Sequence, residues 1–228
     1  MADIAEVERV IAQHRALEQL RHEMAHRLGD DPAHDLSHAL RVAAWTLRLA
    51  PEVAPVRAIA AALLHDGVPV EKSSPERAKA SAHAADLARE LLPALGFDAA
   101  AIDDIAVAIR DHSYSRGAVP ETPLGRGLQD ADRLEALGAL GLMRCISTGS
   151  RMKARYFHAN DPWAERRELD DRAFSVDHFF TKLLRLPSTL CTVEGRREAE
   201  HRAAFLRTFL TALESELGVP MAAARRLE

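Results

Sequence analysis

The chain has 228 residues, 47% of them hydrophobic, and a formal charge of −4 set by 30 basic and 34 acidic residues. That length suits one large domain, and charges of both signs scattered along it argue against a general basic field for nucleic acid. Cys145 and Cys191 form no CxxC pair and no disulfide framework, which fits a reducing compartment. No apolar run reaches the length of a membrane span, and the acidic start MADIAEVERVIAQHR is unlike a signal peptide. The expectation is a soluble cytoplasmic protein with neither a membrane nor a nucleic-acid partner.

Helical periodicity runs through almost every segment. In IAEVERVIAQHRALEQL, Ile4, Val7, Ile11, Leu17 and Leu20 fall on one stripe and predict a first helix. A second is predicted over residues 35–50, and a third, shorter and almost wholly apolar, over 55–66. Ser74 as N-cap, Pro75 at the first helical position and Pro93 beyond the end frame a fourth. Asp98 caps the next, FDAAAIDDIAVAIRDH. GLQDADRLEALGALGLMRCI reads as one further helix, with Gly138 and Gly141 as close-packing positions, and two more are predicted near 175–186 and 194–217. Residues 114–127 and 148–171, rich in Gly, Pro and charge, read as functional loops. Strand signals are nearly absent, so the predicted fold is all-α in a single domain.

The stretch AALLHDG, residues 61–67, ends the third helix with His65 and Asp66 in its last turn, before Gly67 and Pro69. A carboxylate where a buried helix meets the surface is costly unless paired, and a metal ion commonly offsets that cost. His34 and His38 stand four apart and share a face at the start of the second helix. Asp132 precedes the stripe Leu134, Leu137 and Leu140, which predicts it near a helix start beside the core; Asp130 is its rival. Two imidazoles and two carboxylates make a mixed nitrogen and oxygen donor set. Such a set suits a divalent Mn, Fe, Co, Ni or Mg ion better than a thiolate-loving one.

His38, the adjacent HD at 65–66 and the Asp of ADRL at 132 together resemble the H…HD…D signature of the HD-domain metal-dependent phosphohydrolases. HDLSHALRV is similar to the first motif of that superfamily. QDADRLEALGALGLMR and SVDHFFTKLLRLPSTLCTVEGRREAEHRAAFLRTFL resemble its YpgQ/YedJ-like bacterial branch, so the likeness spans roughly residues 14–213. It implies one HD-type helical bundle over residues 1–228, with a metal-site core at about 34–135 and C-terminal helices 175–217 packed on it. It also implies that His38, His65, Asp66 and Asp132 hold the divalent ion, with Asp66 orienting the attacking water. The implied activity is cleavage of a phosphate ester or phosphoanhydride in a small nucleotide, nucleoside triphosphate pyrophosphohydrolysis included. A di-iron oxygenase and a non-catalytic nucleotide-binding protein are the alternatives on the same scaffold, and a homodimer stays open.

His83 and His112 fall where dinuclear members carry extra ligands. His83 is otherwise a solvated helical histidine, and His112 otherwise a donor to the phosphate or leaving group. His34 is a candidate for substrate contact, and Lys72 for a catalytic cation over the metal. Arg133 is a candidate for substrate binding. So are Arg151, Lys153 and Arg155, which with Tyr156 and Phe157 offer cations for phosphates and an aromatic face for a base. Lys182 lies in a branch motif, where an ion pair with a buried acid is an equal reading.

Overall fold

A computed structural model of the chain describes residues 3–28, 35–68, 70 and 78–226. Among these residues the secondary structure is helical, with one isolated parallel bridge between Arg155 and Phe174 and no strand. The all-α expectation holds. The residues gather into two compact units, 1–133 and 134–228.

In the first unit, α1 (Ile4–Gln13) starts where the Asp3 carboxylate accepts the Glu6 N–H, and it buries Val7 and Ile11. The predicted first helix breaks at His14, which is extended at φ −130° and ψ 102° while its Nδ1 donates to the Val10 carbonyl at 2.8 Å. α2 (Arg15–Leu28) then buries Leu17, Leu20, Met24 and Leu28. Because the apolar stripe continues across the break, periodicity alone could not show it. α3 (Leu36–Leu49) is capped by Asp35, and α4 (Pro55–Leu64) begins on its proline.

Every residue from Ala58 to Leu64 is buried. The reason is position: α4 packs against α1, α2 and α3, and against two later helices, α5 (Ala80–Leu91) and α6 (Ala99–His112). A helix enclosed on all sides has no face left for polar residues. The predicted cap at Ser74 and Pro75 lies outside the described residues, as does Pro69. Asp98 caps α6 as expected, its carboxylate accepting the Ala101 N–H at 2.8 Å. A short 3₁₀ turn, Tyr114–Arg116, follows, and α7 (Pro123–Leu134) begins inside what was predicted to be loop.

In the second unit the helix expected across QDADRLEALGALGLMRCI is interrupted after Leu134 and resumes as α8 (Gly138–Arg151). Gly138 takes φ +71°, a conformation that disfavours any side chain. A Cβ on Gly141 would stand 2.2 Å from the Ala136 carbonyl carbon and oxygen. These glycines permit a tight reversal, where the sequence suggested packing positions in one continuous helix. α9 (Ser175–Thr181) is shorter than predicted, because Leu183–Thr189, with Pro187 inside it, winds as 3₁₀ helix. α10 (Val193–Leu217) runs from a Thr192 cap to Gly218 at φ +63°, and α11 (Ala223–Arg226) follows.

Of residues 148–171, expected to be a loop, the first four belong to α8, and the segment from 152 to 174 is an irregular but tightly tied one. Asp177 is fully buried and accepts two hydrogen bonds from the Arg167 guanidinium and one from the Asp170 N–H. The Arg167 guanidinium also lies 4.6 Å from the centre of the Phe174 ring. Trp163 donates Nε1–H to the Val219 carbonyl at 2.7 Å, and Glu165 accepts the Ala222 N–H at 2.6 Å. Arg225 donates to the carbonyls of Trp163 and of Ala164, whose φ is +54°. No described helix is long and apolar enough to cross a membrane.

Candidate metal centre

Three helix ends and one turn of the first unit bring the candidate ligands together. His38 lies in the first turn of α3, where its N–H is capped by Asp35 at 2.8 Å. His65 ends α4, and Asp66 occupies the turn after it. Asp132 lies in the last turn of α7, near a helix end rather than the predicted start. The stripe that α7 buries begins earlier than expected, with Leu124, Leu128, Ala131 and Leu134.

The distances are short. His38 Nε2 stands 3.5 Å from Asp132 Oδ1 and 3.9 Å from Asp66 Oδ2. His65 Nε2 stands 3.5 Å from Asp66 Oδ2 and 3.9 Å from Asp132 Oδ1. The imidazoles are 1% exposed and the carboxylates 22% and 26%, so the cluster is sealed behind the rings and open on the acid side. Neighbouring donors on a six-coordinate ion with bonds of about 2.1 Å are about 3 Å apart, and opposite ones about 4.2 Å. The observed spacings lie between these values.

Tautomer and charge support the same fit. His65 Nδ1 lies 2.6 Å from the Ala62 carbonyl, which can only accept, so Nδ1 carries the proton and Nε2 the lone pair. Burial pushes the His65 pKa down to about 4, against the pull of Asp66, so the ring is neutral at pH 7. Its Nε2 is buried with no hydrogen-bond partner among the described residues. That leaves a lone pair aimed at two carboxylates, acceptor against acceptor, an arrangement a cation among them would reconcile. Burial raises the Asp132 carboxyl, but the His38 contact and the three nearby imidazoles outweigh it and hold the group well below the usual carboxylate range.

His112, the last residue of α6, repeats the device: Nδ1 donates to the Ile109 carbonyl at 2.6 Å, and the ring centre lies 5.1 Å from that of His65. Donor atoms of His38, His65 and Asp132 form one mutually close group, and those of His65, Asp66 and His112 another, each within 4.8 Å. His83 is exposed on α5 and joins neither. Asp130 is fully buried and also outside both, so Asp132 is the aspartate of this cluster. Arg133 is buried beside it, its guanidinium 5.6 Å from the centre of the Tyr114 ring.

His34 and Lys72 lie outside the described residues. Arg151, Lys153, Arg155 and Tyr156 are exposed in the second unit, Phe157 is half-buried there, and Lys182 is half-buried at the end of α9. Two residues went unnoticed in the sequence. Tyr114 stacks with Arg133, and Gln129 is 1% exposed on α7 with its amide on two backbone carbonyls. Both act through tertiary contacts that leave no periodic signal.

Residues 35–137 match the family described as HD domain. The Bacillus subtilis protein YpgQ is 32% identical over 117 residues, 50% of this chain and 51% of that protein, so the sequence match spans about half of the relative's length. The crystal structure of B. subtilis YpgQ in complex with ADP superposes with a TM-score of 0.66 at 23% identity, covering 90% of this chain and 98% of that one. A protein of an uncultured Thermotogales bacterium, described as a predicted HD superfamily hydrolase, gives a TM-score of 0.60 at 27% identity, covering 92% of this chain and 97% of that one.

Proposed function

The chain is an HD-domain protein, and on that premise we propose that it is a metal-dependent phosphohydrolase cleaving a phosphate ester or phosphoanhydride of a small nucleotide. The observation that carries this reading is His65 Nε2, a buried lone pair facing the oxygens of Asp66 and Asp132. In this reading His38, His65, Asp66 and Asp132 hold a divalent ion. Such an ion, when bound, neutralises phosphate oxygens and lowers the pKa of water.

The side chains do the rest. Asp66, on the open side of the cluster, accepts a hydrogen bond from the attacking water and orients it. With Nδ1–H committed to Ile109, His112 can take up a proton at Nε2 and return it to the leaving oxygen. Arg133 adds positive charge beside Asp132. The nucleotide part of the proposal draws on the ADP bound to YpgQ, and the hydrolase part on the Thermotogales relative. Arg151, Lys153 and Arg155 remain proposed phosphate contacts.

A panel of nucleoside mono-, di- and triphosphates with Mn, Mg, Co and Ni tests the reading, with phosphate and pyrophosphate measured separately. Release from at least one nucleotide, lost on addition of EDTA, is expected. No release under any condition, with two bound irons and oxygen consumption instead, would replace it with the oxygenase alternative.

A further inference from the structure

We infer that Gln129 is a positioning residue that holds His112 in place relative to Asp132; this rests on the reading that both face one reaction site. The two residues are twenty apart in sequence and come from different helices, α6 and α7. Their relation is therefore set by whatever ties the segment after α6 to α7.

The tie is a single stripe on α7. Gly125, Gln129 and Arg133 are spaced by four and so share one helix face, and each meets the segment 111–120. At Gly125 a Cβ would stand 2.8 Å from Pro120 Cβ, so only glycine lets the loop lie this close. At Gln129 the buried amide donates one proton to the Asp111 carbonyl at 3.0 Å and the other to the Ala118 carbonyl at 2.9 Å. At Arg133 the guanidinium covers the Tyr114 ring.

The central contact brackets the whole turn. Asp111 immediately precedes His112, and its carbonyl is among the last in α6, which have no partner within the helix. Ala118 follows Gly117, whose φ of +68° ends the 3₁₀ turn Tyr114–Arg116. Arg116 closes the turn back onto the Asp111 carboxylate at 3.1 Å. One amide thus caps α6, clasps both ends of a 3₁₀ turn that closes on a left-handed glycine, and stands one helical turn before Asp132. Methionine would fill the same space and donate nothing; glutamate would present acceptors to two carbonyls.

The test compares wild type with Gln129→Met, and with Gln129→Asn, which keeps both donors on a stem one carbon shorter. In metal-free protein, the His112 ring signals in NMR should shift. Amide exchange at Arg116 and Gly117 should accelerate roughly 10- to 100-fold in the Met variant, the weight of two hydrogen bonds, and less in the Asn variant. On any nucleotide that the wild type hydrolyses, kcat should fall about 10-fold or more with KM within about twofold, the mark of misplacement rather than lost binding. Unchanged His112 signals and exchange in both variants would overturn the inference, as would an unchanged kcat. A wild type that neither binds metal nor turns over nucleotide would sink the proposed function instead, while the metal-free His112 signals still decide the role of Gln129.

Discussion

Replacing His65 with glutamine should remove a specific pH dependence of folding. The ring is neutral in the folded chain because burial brings its pKa to about 4, whereas in the unfolded chain it titrates near the ordinary imidazole value of 6.5. Between these values the unfolded state holds the extra proton, so stability falls as pH drops through the window. The full difference, 6.5 − 4 = 2.5 units, corresponds to roughly 3 kcal/mol. Most of that is lost by pH 4, and about 1.4 kcal/mol of it is already lost at pH 5.5. Asp132 is also depressed, but from an ordinary value near 3.8, so its contribution, likewise lost as pH falls, goes only around and below that pH, outside the range measured. Urea unfolding of EDTA-treated protein at pH 7.5 and 5.5 should show wild type losing about 1.4 kcal/mol more than His65→Gln. Equal losses in the two proteins would mean that His65 is not a neutral buried ring, and the lone-pair argument for the metal centre would fall with it.

Three further expectations follow from particular contacts. A divalent ion at 100 times its Kd should stabilise the wild type by about 2.7 kcal/mol, a rise on the order of 5 °C or more in Tm. Asp132→Asn should abolish this rise in a thermal-shift assay and Asp130→Asn should keep it. Gly141→Ala drives a methyl into the Ala136 carbonyl and should cost about 3 kcal/mol, read as a lower urea midpoint. Asp177→Ala leaves the Arg167 guanidinium, 19% exposed, without its carboxylate and should cost about 3 kcal/mol in the same assay. Asp177→Asn, which keeps the shape, should cost less.

What could be read from the chain alone depended on whether the signal was local. Asp35 and Asp98 lie beside the helices they cap, and the unbroken apolar run before His65 announced a helix enclosed on every side. That His38, His65, Asp66 and Asp132 belong together was suggested by motif order, and the structure places them near one another. The break at His14 escaped because apolar spacing carries across it, and the reversal before α8 because Gly138 and Gly141 look alike whether they serve packing or a turn. Asp132 was placed at the wrong end of its helix because the stripe read from Leu134 onward belongs partly to the residues after α7. His83 matched a ligand position in register, yet its side chain points to solvent. Gln129 had no local signature, since both of its acceptors lie more than ten positions away.

Ala164 holds a backbone angle that a residue with a side chain rarely adopts, at a cost of about 1–3 kcal/mol. Its carbonyl and that of Trp163 are gripped from more than sixty positions downstream by Arg225, while Val219 receives the indole N–H. The tail beyond Gly218 therefore works as a buckle. Severing it would release the contortion at Ala164 and uncover a tryptophan whose fluorescence would report the opening directly.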